Sequence, residues 1–136
     1  MTARDDERRS SCPIACTLDI LGDKWTMLVI RDMVFARKRH FREFLESSEG
    51  IASNILTDRL KRLEESGIVS RQPDPENARQ VIYTLTEKGK DLIPALLELA
   101  RWGAKHVARS VPRKDIARRM KEDRDGLIED LKSSLK

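Results

Sequence analysis

The sequence predicts a mainly α-helical protein with one small β-hairpin and extra helices at both ends. Three observations carry that expectation. Apolar residues recur at helical spacing along most of the chain, most clearly over residues 50–67, where Leu56, Leu60 and Leu63 make one stripe. One short stretch instead alternates with a period of two: Val81, Tyr83 and Leu85 against Gln80, Ile82 and Thr84. Charged residues are 37% and aromatics 4% of the 136 residues, which fits a small core beneath a large polar surface.

Residues 1–11 are polar and alternate in charge, so they read as a flexible N-terminal tail. Pro13 suits a first helical position, because the N–H it lacks would be unpaired there anyway. A short helix carrying Ile14, Leu18 and Leu21 follows and ends at Gly22. Asp23 caps the next helix, whose buried side is Trp25, Leu28, Val29 and Met33. Arg37, Lys38, Arg39 and His40 then form a basic connection. A short helix over 41–47 turns Phe41, Phe44 and Leu45 inward, and a tight turn over 48–50 delivers the chain into the helix of 50–67. Helix, short turn with glycine, helix is a helix-turn-helix arrangement.

Opposite the leucine stripe of that second helix lie Asn54, Asp58, Lys61 and Glu65, flanked by Thr57 and Arg62. Gly67 is a left-handed stop, with Ile68 closing an apolar contact back to Leu63. Residues 72–77 have turn chemistry, so 68–85 reads as a hairpin with its tip over 74–79, a wing beside the helix-turn-helix. Thr86 caps a long helix with Leu92, Leu96, Leu99, Gly103 and Val107 on its stripe and a kink at Pro94. Pro112 breaks the pattern. A last amphipathic helix starts near Arg113, with Ile116, Met120, Leu127, Leu131 and Leu135 on one side, weakened by Asp123 and Gly126. It is too polar to form a core alone and needs the body of the domain or a second subunit. The expected division is a tail over 1–11, a winged helix-turn-helix domain over 12–110 and a C-terminal amphipathic helix over 111–136.

A net charge of +4 and a pI near 9.3 permit a polyanionic partner. No apolar run is long enough for a bilayer and the N-terminus has no signal-peptide pattern, so a cytoplasmic protein without membrane contact is expected. Two cysteines are too few for a disulfide framework. Cys12, Cys16, His40 and His106 stand at spacings that suggest no metal site, and neither a phosphate-cradling glycine loop nor a paired-carboxylate cleft is evident. The expectation is therefore no enzyme, no cofactor and no metal. A thiol enzyme built on Cys12 and Cys16 lacks C-x-x-C spacing and an adjacent base. A protein-binding winged helix is the alternative, and it would need an apolar patch where Asn54, Asp58, Lys61 and Glu65 stand.

For base reading in DNA the candidates are Ser53, Asn54, Thr57, Asp58 and Lys61, because they occupy the outward, N-terminal part of the helix that enters a groove. Asp58 is equally placed to pair with Arg62 one turn later, and Arg59 to pack and bridge elements rather than touch DNA. Arg37, Lys38, Arg39, Arg62 and Arg79 are candidates for phosphate contact. One reading helix gives little specificity and the terminal helices need a partner, so a two-fold homodimer on double-stranded DNA is expected, its reading helices about 34 Å apart over an inverted repeat. The sequence names no small-molecule effector. Cys12 precedes Pro13 at a helix N-terminus, where unpaired N–H groups favour a thiolate, and Arg8 and Arg9 add positive potential; Cys16, one turn on, is expected to pack against the core.

The chain resembles the HxlR-type winged helix-turn-helix transcriptional regulators. The resemblance rests on Cys12-Pro13, Leu18-Asp19, Leu21-Gly22-Asp23-Lys24-Trp25, on Leu56-Thr57 and Arg59-Leu60 within 51–64, and on the run from Val81 through Gly89. It covers roughly residues 12–107 and implies a homodimer built partly from terminal helices that binds an operator. Cys12 aligns with the sensing cysteine of redox- and electrophile-responsive members, which implies a possible redox role. Ala52-Ser53 stands where many relatives have Ser-Pro, and Glu76-Asn77-Ala78-Arg79-Gln80 where many have a proline-rich wing.

Overall fold

The computed structural model describes residues 10–135. Most of the expected tail, residues 1–9 with Arg8 and Arg9, lies outside the described residues. The elements are α1 (Pro13–Leu21), α2 (Lys24–Phe35), α3 (Phe41–Leu45), α4 (Ser53–Glu65), β1 (Val69–Asp74), β2 (Asn77–Leu85), α5 (Glu87–Lys90), α6 (Ile93–His106), α7 (Lys114–Glu122) and α8 (Arg124–Ser134). This is a mainly helical winged helix-turn-helix with added helices at each end.

Local chemistry sets the boundaries. Asp23 caps α2 by accepting the Thr26 N–H at 3.3 Å, which satisfies one of the unpaired first-turn donors. Thr86 caps α5 in the same way through the Gly89 N–H. α4 ends where Gly67 takes φ 75°, a region that a side chain disfavours, and the Ile68 N–H returns to the Leu63 carbonyl at 3.0 Å. Leu56, Leu60 and Leu63 are fully buried, and they press α4 onto α2 and α3 and lead into β1. Ile30, Val34, Phe44, Ile93 and Leu97 complete the centre of the core. β1 and β2 pair antiparallel, and β2 is tied on its other edge by the Tyr83 N–H, which donates to the Arg39 carbonyl at 2.8 Å.

Several elements differ from expectation. α4 starts at Ser53, because Gly50 turns the chain at φ 73° and Ile51 is already buried as the chain enters. The hairpin tip is tighter than 74–79: Asp74 pairs with Asn77, so only Pro75 and Glu76 lie between them. Ile82, of the opposite parity to Val81 and Tyr83, is buried, while those two share a groove with His40 and Phe41. The long helix after Thr86 is two helices. Pro94 sits in the first turn of α6, where its missing N–H leaves no bond unmade. The buried side of α6 is Ile93, Leu96 and Leu97, while Leu99 is 58% exposed. The C-terminal helix is also two, α7 and α8. They break at Asp123, which takes φ −156° and ψ 63° and caps α8 by accepting the Gly126 N–H at 3.1 Å. Leu45 faces outward rather than in. On α1 only Leu21 is buried, while Ile14 and Leu18 of the same stripe are exposed.

Candidate nucleic-acid interface

Burying the leucine stripe of α4 turns Ser53, Asn54, Thr57 and Lys61 to solvent, with Asp58 half-buried beside them. Thr57 donates its hydroxyl to the Ser53 carbonyl at 2.9 Å, which leaves its oxygen free to accept. Ala52 offers no side-chain cap, so the first N–H groups of α4 carry no capping bond. The Asp58 carboxylate accepts from Arg59 and from the Arg62 Nε at 2.9 Å. Arg59 also donates through Nε to Asp23 at 2.8 Å and is largely covered. Arg59 is thus the brace that joins α4 to the cap of α2.

A second brace holds the turn before α4. Arg31 makes a two-pronged contact with Glu49, at 2.7 and 2.9 Å, and donates to Asp32 from both Nε and a terminal nitrogen. Asp32 is buried, and its other oxygen accepts the Ser47 hydroxyl. Lys38 donates to Ser47 at 2.8 Å and lies 3.6 Å from Asp32. A buried carboxylate needs such compensation. The Arg31 guanidinium holds Glu49 down to about 2 and is itself raised by Glu49 and Asp32. The lysine of the basic connection therefore faces inward to this network.

Arg37 and Arg39 are exposed, and among the described residues neither guanidinium has an ion-pair partner. Arg37 has φ 54°, a left-handed conformation that few non-glycine residues adopt. Arg79 is exposed on β2 near the wing tip, and Arg62 projects from the last turn of α4. His40 connects the tip of the wing to α3: its Nε2 is 2.8 Å from the Asp74 carboxylate and its Nδ1 3.0 Å from Glu43. Glu43 also accepts the N–H groups of Arg39 and His40. Asp74 first, then Glu43, raises the His40 pKa above the ordinary imidazole value.

Cys12 is exposed and stands as the N-cap of α1. It makes no capping hydrogen bond of standard geometry, yet the nearby N–H groups of Ala15 and Ile14 hold its pKa below the ordinary thiol value. Cys16 does not pack against the core. It is exposed and donates its S–H to the Ser10 carbonyl at 3.3 Å, because the face of α1 that carries it meets no other element. Among the described residues, no three histidine, cysteine or acidic side chains are grouped to hold a metal, and no helix is long and apolar enough to cross a membrane.

The outward polar face of α4, the wing and the two braces define a winged helix-turn-helix protein of the DNA-binding class. Residues 20–111 match the HxlR-like helix-turn-helix family, and the chain belongs to it as a transcription regulator. It is 40% identical over 92 residues to the HTH-type transcriptional regulator YodB of Bacillus subtilis (strain 168), a match covering 67% of this chain and 81% of that protein. Among solved structures it is similar to PA1607, with TM-score 0.70 and 37% identity over 79% of this chain and 76% of that one. It is also similar to the redox regulator HypR in its oxidised form, with TM-score 0.63 and 35% identity over 74% of this chain and all of that one. α7 and α8 lie beyond the matched residues.

Proposed function

We propose that this regulator binds double-stranded DNA in the cytoplasm as a homodimer, one α4 per half-site of an inverted-repeat operator, and answers a redox or electrophilic signal at Cys12. The observation that carries the reading is the exposed, hydrogen-bonding N-terminal face of α4 above a fully buried leucine stripe. Asn54 suits adenine and Lys61 suits guanine, while Ser53 and Thr57 serve either. The Asp58–Arg62 pair is exposed enough to exchange partners: on DNA, Arg62 moves to a phosphate, and Asp58, still held by Arg59, turns its other carboxylate oxygen to accept from a cytosine amino group. Arg37, Arg39 and Arg79 contact phosphates beside it. Lys38 is assigned instead to holding Asp32 and Ser47, and so to aiming α4.

The second copy is supported by Ile14 and Leu18 of α1 and Leu99 and Trp102 of α6, all more than half exposed on faces turned away from the core. Large exposed apolar groups of this kind mark interaction sites. Cys12 shares α1 with Ile14 and Leu18, so modifying its thiolate would disturb that interface and the spacing of the two α4 helices. The likeness to a redox regulator supports the same signal.

A gel shift on the protein's own upstream DNA tests this reading, run before and after diamide for wild type and Cys12→Ser. Sequence-specific retention that diamide weakens in wild type but not in Cys12→Ser is expected. Full affinity after proven thiol modification would remove the sensing role. Equal retention of upstream and random DNA would remove the operator reading.

A further inference from the structure

We infer that a cavity between the 37–39 connection, β2 and the end of α8, with a cationic wall and an apolar floor, is a binding site for a small organic anion with an apolar or aromatic body. The cavity is about 420 Å³, within the range that small-ligand sites occupy. Arg37, Lys38 and Arg39 form one wall, and among the described residues no acidic side chain lines it. Lys38 is held by Ser47 and Asp32, so the draw on an anion comes from Arg37 and Arg39. A guanidinium presents a planar fork of donors that matches a carboxylate or phosphate. The floor is apolar: Met33 and Leu85 are buried, and the half-buried Tyr83 and Leu135 flank them.

The backbone at Arg37 closes the end of α2. The left-handed φ of 54° is one that glycine adopts without cost, yet the position carries a long cation. The conformation is fixed from both sides, since the N–H groups of Ala36 and Lys38 both donate to the Asp32 carbonyl at 3.1 Å. This is the left-handed turn that follows the C-cap Ala36 and ends α2. The far wall comes from Ser133, Ser134 and Leu135, outside the residues shared with the family. The C-terminal helix therefore completes a site whose other walls lie within the family-matched residues.

The consequence rests on the proposed DNA reading. Arg37 and Arg39 cannot serve a bound anion and a DNA phosphate together, so the ligand would release DNA. The Arg39 carbonyl also anchors β2 through Tyr83, which places the ligand at the join of wing and helix-turn-helix.

The two sources of anion, a free organic acid and the DNA backbone, separate in a calorimetric titration of the DNA-free full chain. The probe is 2-naphthoate, with neutral 2-acetylnaphthalene as its counterpart. Saturable naphthoate binding is expected, weakened about tenfold or more by Arg37→Gln with Arg39→Gln and abolished by Ser134→Trp, which fills the cavity from α8. The neutral counterpart should not bind. In wild type, naphthoate should also weaken retention of upstream DNA. Naphthoate binding with no DNA affinity would support the site and refute the DNA reading. Binding that is absent, or equal in wild type and both variants, would overturn the site and leave the connection a DNA backbone contact only.

Discussion

His40 joins two elements that the chain separates by 34 residues, and its two ring nitrogens face two carboxylates. The charged imidazolium donates to both, so folding favours it, and the His40 pKa is raised by Asp74 first and Glu43 second. Glu43 and Asp74 are lowered in turn, the latter also by the charge of Arg39. The sign follows. The histidine's contribution is complete below its ordinary value of 6.5 and is lost as pH rises through the higher folded pKa. The carboxylates' contribution is present above about pH 4 and is lost on acidification. The wing tip should therefore be held most tightly to α3 between about pH 4 and pH 6.5. Imidazole titration by NMR should place His40 above free imidazole, with Asp74→Asn bringing it down. A His40 pKa that Asp74→Asn leaves unmoved would contradict the clamp. Neither this clamp nor the Asp32 network was legible in the sequence, because His40–Asp74, Ser47–Asp32 and Arg31–Glu49 join residues 15 to 34 apart. Arg59 stood open between bracing and DNA for the same reason, and Asp23, 36 residues away, decides it for bracing.

At the scale of elements, what a few neighbouring residues determine was legible. Asp23 and Thr86 cap, Gly67 stops, and Leu56, Leu60 and Leu63 face in, each through contacts within one or two turns. What depends on competition between near-equal local choices was not. Pro94 sits in the first turn of a helix rather than kinking one, and Asp123 prefers capping to continuing. The stripes of α1 and α6 were read as inward, but most of α1 and the Leu99 side of α6 meet nothing in the described chain. Leu18 is 57% and Trp102 62% exposed, so a charge at either would cost little in a monomer and much in an interface. Leu18→Glu and Trp102→Glu should convert a dimer to a monomer in sedimentation at micromolar concentration while circular dichroism stays unchanged. Wild-type sedimentation by both variants would place the interface elsewhere.

Across the whole molecule, two braces converge on one helix. Asp23–Arg59 fixes the body of α4 and Arg31–Glu49 fixes the turn that feeds it, so its polar face is held by side chains that pair with each other within the protein. The arginines flanking that face suit a charged backbone and the short polar groups suit base edges. The candidate face was legible in the sequence because burial of three leucines dictates what lies opposite. The most direct test compares Asn54→Ala with Arg39→Ala by fluorescence anisotropy, on upstream DNA and on a random duplex across a salt series. Asn54→Ala should cost roughly 1–3 kcal/mol on upstream DNA and little on random DNA. Arg39→Ala should weaken both alike and flatten the salt dependence by about one charge. Equal losses on both duplexes for both variants, with one common salt slope, would contradict the assignment of α4 as the helix that reads sequence.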